Sequence, residues 1–185
     1  LGMFLKGMED GLEDTAELET RMRESGLRLQ RFEGEDSLVV LFEGGKSWRG
    51  TGTYLFRTGE ARPLILQAPH GWHDRFTADI AFETSQKTDA RALVFNTIHR
   101  YRATPEERKS DDVHIADLAH TTDSFFYLAT QSTLEAMPEA SVVQLHGYDN
   151  EGLALKGIDV VVSDGTNDPT AEIQAWRNAF ATTFG

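Results

Sequence analysis

With 185 residues, the chain is long enough for one domain with a sizeable core and too short for two large ones. Its 30 acidic against 18 basic side chains, a formal net charge of -12, argue against a nucleic-acid phosphate backbone or an anionic membrane surface as partner. It contains no cysteine, which excludes disulfides, thiolate metal sites and a thiol nucleophile, so any metal has to be held by His, Asp or Glu.

No stretch approaches the ~20 apolar residues that a membrane-spanning helix needs, so no membrane insertion is expected. Residues 1–8 carry one Lys ahead of an acidic run, with no apolar segment or cleavage site, so no signal peptide is expected; the sequence specifies neither compartment nor oligomeric state. Residues 1–62 read as a leading section of one helix and antiparallel strands. Asp14 with Glu17 resembles a capping box, Leu18 and Met22 give an apolar stripe, Glu19 and Arg23 pair at i,i+4, and Gly26 is a C′ stop. Strands are expected at Leu27–Phe32, Leu38–Phe42 and Gly52–Arg57. Gly44-Gly45-Lys46-Ser47 is not a phosphate loop, because the first glycine would fall at Val40. Gly50 and Gly52 begin no dinucleotide fingerprint, since Leu55 stands where its last glycine belongs.

From residue 63 the pattern alternates strand and helix, within a single domain spanning 1–185. The apolar run Leu64–Ala68, flanked by Pro63 and Pro69, predicts an interior strand. It opens directly into His70-Gly71-Trp72-His73-Asp74, three metal-ligand residue types within five positions at a strand end. A helix is expected over Thr77–Lys87 with Ile80, Ala81 and Phe82 partly inward, then a strand over Ala92–Thr97 leading to Asn96, Arg100 and Arg102. A polar loop follows to about Asp112. The segment Asp117–Ser124, with His120, opens a helix carrying Phe125, Leu128, Ala129 and Ala136 and stopped by Pro138. Ser141–His146 is the third buried strand, and Ile158–Ser163 a fourth that exits into Asp164. The last helix is expected to start with Asp168 as N-cap and Pro169 at N1, with Ile173, Trp176, Phe180 and Phe184 as core. The expected class is α/β, a three-layer α/β/α sandwich on a mixed, largely parallel sheet.

Parallel strands point their carboxyl ends one way, so His70 and Asp74, Asn96 and Arg100, His146, and Asp164 can converge at one sheet edge. Two imidazoles and a carboxylate, with no soft ligand, suit zinc better than magnesium or calcium, and three protein ligands leave one position open for water. The bland reading of His146 is a strand-end cap, of Arg100 a surface ion pair, and of His120 a hydrogen bond at a helix entry. A serine hydrolase is disfavoured: Gly-x-Ser-x-Gly is absent, and Val161 precedes Ser163 where a glycine would stand.

The run Ala68-Pro69-His70-Gly71, an acidic residue soon after, Thr77 with Asp79-Ile80-Ala81, His120-Thr121-Thr122, and a strand ending in His146-Gly147-Tyr148 resembles the phage-type poly-γ-glutamate hydrolases. These are small zinc hydrolases related in fold to the zinc carboxypeptidases and the N-formylglutamate amidohydrolases. The resemblance spans roughly residues 64–180. It implies zinc held by His70, Asp74 and His146, and hydrolysis of an amide bond next to a carboxylate. It departs from the family pattern in having Asp74 where a glutamate stands, with His73 beside it as the other candidate for second ligand. No glutamate is evident in the place of the general base. The residues add roles: His120 for oxyanion stabilisation or proton transfer, and His73, Asn96 and Arg100 for substrate binding. The acidic composition favours a small acidic amide or peptide over a polyanion. The alternatives are an N-formylglutamate-amidohydrolase-like deformylase and a non-catalytic binding domain that retains the fold.

Overall fold

A computed structural model of the chain describes residues 15–32, 38–44, 50–101, 116–122, 124–148 and 160–184. It is α/β, with six strands and four helices among those residues. Helix α1 (Thr15–Glu24) leads to strands β1 (Leu27–Phe32), β2 (Leu38–Glu43), β3 (Thr53–Arg57) and β4 (Arg62–Ala68). Helix α2 (Thr77–Lys87), β5 (Ala90–Phe95), α3 (Phe125–Ala136), β6 (Ser141–Gln144) and α4 (Ala171–Phe184) follow. The chain groups into two compact units, Leu1–Gly147 and Tyr148–Gly185. No helix among the described residues is long and apolar enough to cross a membrane.

The sheet runs β1-β2-β3-β5-β4-β6. Its β1/β2, β2/β3 and β3/β5 pairings are antiparallel, while β5/β4 and β4/β6 are parallel. The sheet is therefore mixed, and the expected parallel majority is not met. The reason lies in the fourth strand of the sequence reading. Residues 160–163 carry no strand pairing although three of the four are valine, and Val160 and Val161 are exposed. Strand propensity without a paired edge does not make a strand. Residues 158–159, like Asp14, Arg102 and Asp112, lie outside the described residues.

Adjacent residues such as Ile65 and Leu66, Ala92 and Leu93, and Val142 and Val143 feed two different apolar clusters, which therefore lie on opposite faces of the sheet. Leu27, Leu41, Tyr54, Phe56, Ile65 and Val94 form one cluster, closed by Met22 of α1 and by Phe126 and Ala129 of α3. Phe125 adds an edge-on ring contact to Tyr54, with centroids 5.6 Å apart. Burying Phe126 at 2% exposure contributes roughly 1.5–3 kcal/mol. The other cluster joins Leu66, Ala68, Ala90 and Leu93 to Ala81 of α2. The buried stripe of α2 is Thr77, Ala81 and Ser85, all small, while Ile80 and Phe82 are exposed. Small side chains at i, i+4 and i+8 let the helix lie close on the sheet, so the larger neighbours turn outward.

Helix ends obey local chemistry. Gly26 stops α1 with φ +81°, and its N–H reaches the Arg23 carbonyl at 3.0 Å. The side-chain pair on that helix is Glu17–Arg21. Ser124 caps α3 by accepting from Tyr127 N at 3.1 Å, and Pro138 follows its last turn. In the second unit α4 begins at Ala171, two residues later than the Asp168–Pro169 reading predicts. Thr170 is the capping residue there, its Oγ1 accepting from Ile173 N at 3.3 Å. Along α4, Ile173 and Phe180 are half-buried and Trp176 is exposed, so this side is not the closed core that the aromatic spacing suggests.

Candidate metal centre

The parallel part of the sheet ends in three loops at one edge. Pro69 ends the β4 ladder, and the chain folds back at once: Gly71 N donates to Ala68 O at 3.2 Å and Asp74 N to His70 O at 2.8 Å. Gly71 permits a close approach, because a Cβ there would stand 3.0 Å from the Ala78 Cβ. Asn96 N, just past β5, donates to Ala68 O at 3.1 Å, and Leu145 N, just past β6, donates to Gln67 O at 2.8 Å. These bonds bring the loops carrying His70 and Asp74, Arg100, and His146 to one place.

His70 is the centre of the group and is buried at 2% exposure. Its Nε2 donates to Asp117 Oδ1 at 2.6 Å, which leaves Nδ1 as a bare lone pair. That Nδ1 lies 3.3 Å from Asp74 Oδ2 and 3.3 Å from His146 Nδ1, with Asp74 Oδ2 and His146 Nδ1 3.9 Å apart. Asp74 is buried, and its Oδ2 also accepts from Gly147 N at 2.8 Å. Gly147 leaves room for it, since a Cβ there would lie 3.0 Å from the Asp74 Cβ. Burial holds His146 below the usual imidazole value, which favours the neutral ring that a ligand needs. The sequence left His73 and Asp74 as alternatives; Asp74 joins this cluster. His73 turns away, its Nδ1 3.1 Å from His99 Nε2 and its ring 5.1 Å from that of Tyr101.

Two ring nitrogens and a carboxylate oxygen converging at this spacing repel one another unless a ring proton or a cation lies among them. Arg100 supplies part of the answer, with Nη1 3.2 Å from His70 Nδ1. The donor set, two imidazoles and one carboxylate, fits zinc. A second group, His70, Asp117 and His120, also has ligand atoms close together. There the Asp117 carboxylate is already spent. It accepts from His70 Nε2, from His120 Nδ1 at 3.0 Å and, through its other oxygen, from Arg100 Nη2. Burial alone would raise the Asp117 carboxyl, but the hydrogen bonds from His120, His70 and Arg100 outweigh it and hold it below the usual carboxylate range. Asp117 is therefore an orienting carboxylate for two histidines. A residue of this kind fixes ring tautomer and direction around metal sites.

The remaining sequence candidates divide. His120 belongs to the site: its side chain is 58% exposed, and with Nδ1 on Asp117 its Nε2 is left to solvent. Arg100 reaches the site but is engaged by Asp117 and His70, at 21% side-chain exposure. Asn96 is fully buried, its Nδ2 on Ala116 O at 2.7 Å and its Oδ1 accepting from Ile98 N at 3.1 Å. Both ends of its amide are spent on backbone, so it ties two loops together and does not reach a substrate. Asp164 lies in the second unit and is used locally, on Thr166 and Thr170. Asp117 was missed in the sequence. The available signal was its Asp-x-x-His spacing to His120.

Comparison of the chain with family models, with curated proteins and with solved structures returned no match.

Proposed function

We propose that the chain is a zinc-dependent hydrolase that cleaves an amide bond next to a carboxylate in a small acidic amide or peptide. The observation that carries this reading is the convergence of His70 Nδ1, His146 Nδ1 and Asp74 Oδ2 at a parallel-sheet edge. All of these residues lie in the first unit. The reading includes a three-layer arrangement of zinc-peptidase type, with α2 on one face of the sheet and α1 with α3 on the other.

His70, Asp74 and His146 would hold the ion. Zinc bound there supplies Lewis acidity and a water acidic enough to ionise near neutral pH. The chain's own groups do the rest. Asp117 orients His120 through Nδ1, so its solvent-facing Nε2 is placed to take a proton from the nucleophile and return it to the leaving amine. The pairing of Arg100 with Asp117 fixes a guanidinium beside the ligand cluster. Its positive charge draws a substrate carboxylate toward the site despite the net charge of -12.

The test is hydrolysis of N-formyl-glutamate, N-acetyl-glutamate and short γ-glutamyl peptides by zinc-loaded protein. We expect turnover of at least one of these substrates, reduced by about 10²–10⁴-fold in His120→Ala with zinc content unchanged. Activity confined to the formyl substrate would select the deformylase-like form of the proposal. Zinc-loaded protein inert toward every member of the panel would leave the binding-domain reading in its place.

A further inference from the structure

A buried glutamine of one strand faces an exposed glutamine of its neighbour at the edge of the sheet. Gln67 of β4 and Gln144 of β6 are register partners, and Gln67 is fully buried. They share the strand parity of Ile65 and Val142, so their side chains lie on the face covered by α3. A buried amide without partners costs about 1–3 kcal/mol, so a structural role alone would favour an apolar residue at position 67. Their hydrogen bonds form one directed chain. Thr130 of α3 donates its hydroxyl to Phe126 O at 2.9 Å and accepts from Gln67 Nε2 at 2.6 Å. Gln67 Oε1 accepts from Gln144 Nε2 at 2.7 Å. Gln144 Oε1 lies 3.3 Å from His146 Nε2.

The polarity of this chain is set at its far end. The Phe126 carbonyl can only accept, so the Thr130 hydrogen goes to it and the Thr130 oxygen must accept in turn. Gln67 then presents its NH₂ to Thr130 and its carbonyl to Gln144. Gln144 presents its NH₂ to Gln67 and its carbonyl to His146. The only group His146 can offer that carbonyl is an Nε2–H. We propose that Thr130, Gln67 and Gln144 are positioning residues that hold His146 as its Nε2–H tautomer and so turn a bare Nδ1 toward His70 and Asp74. The tautomer follows from the hydrogen bonds alone; its use in holding a metal rests on the function proposed above. The tautomer of His70 is set separately, by Asp117, so the two imidazoles are prepared from opposite sides of the site.

The experiment reads the ring nitrogens of His146 by ¹⁵N NMR of the metal-free full chain, at a pH above imidazole titration, in the wild type, Gln144→Leu, Gln144→Glu and Thr130→Val. The expected result is an Nε2–H ring in the wild type and in Gln144→Glu, whose carboxylate still accepts from it. A mixture with the Nδ1–H form is expected in Gln144→Leu, and in Thr130→Val, where the altered residue is not among the hydrogen-bond partners of His146. Zinc affinity, measured by competition with a chromogenic chelator, should fall about 10–100-fold in Gln144→Leu and hold in Gln144→Glu. An Nδ1–H ring in the wild type, or a tautomer indifferent to Gln144→Leu, overturns the proposal. A wild type with the Nε2–H ring that loses it in Gln144→Leu, yet takes up no zinc, upholds the relay and defeats the metal reading instead.

Discussion

Asp117 holds three cationic or imidazole donors with two oxygens, and this concentration makes it the most consequential single residue of the site. Replacing it with Asn removes the charge opposite Arg100 and turns one of the two acceptor oxygens into a donor, which then faces either Arg100 or the His70–His120 pair. Leaving a partly buried guanidinium without its carboxylate costs about 3 kcal/mol, so Asp117→Asn should lower the urea midpoint with an unchanged slope. Equal urea midpoints for Asp117→Asn and the wild type would contradict this role. The residues that the sequence points to most directly, His70, Asp74 and His146, were legible because each follows a strand whose apolar run announces it. Asp117 and the Gln67–Gln144 pair were not. Asp117 sits between Ala116 and Leu118, outside the described strands and helices, with no periodicity to mark it as part of a site. The glutamines gain meaning only when β4 and β6 are laid in register, and no local pattern states that register.

At the scale of elements, apolar runs located the strands well. Leu27–Phe32 is as read, and Leu64–Ala68 is extended by two residues at its start. Helix α2 spans the residues that the sequence indicated, but its inward face did not follow from hydrophobicity, because close packing on the sheet selects Thr77, Ala81 and Ser85. The start of α2 is also unexpected: Phe76, the residue before it, has φ +63°, a left-handed conformation that a bulky side chain rarely adopts. It lies two residues from Asp74, between the ligand loop and the helix. The entrance to α4 yields a pH prediction. Asp164 accepts from Thr166 N, Thr166 Oγ1 and Thr170 N. The Thr170 backbone bond first, then the Thr166 bonds, lower its carboxyl from the ordinary 3.8 to about 2. A lowered folded-state value means that the unfolded chain binds the proton first as pH falls. The contribution to stability is therefore complete above pH 3.8 and is lost as pH falls toward about 2. An NMR titration should find this carboxyl titrating near 2 in the wild type and closer to its ordinary value in a double variant, Thr166→Ala with Thr170→Pro, that removes two of its three donors. An ordinary value in the wild type would show that the 164–170 loop is not held this way.

For the molecule as a whole, the acidic composition and the local site point in different directions. A net charge of -12 repels polyanions at long range, yet the His70, Asp74 and His146 group, which could hold a metal ion, has the Arg100 guanidinium beside it. The central claim is that this group binds zinc, and it is tested by calorimetric titration of zinc into metal-stripped protein. Wild type, His70→Ala, Asp74→Ala and His146→Ala would be compared, each first shown to be folded by circular dichroism. The account predicts one zinc per wild-type chain and loss of that binding in each of the three variants. Wild-type protein that binds no zinc, or His146→Ala that binds it as well as the wild type, would contradict it.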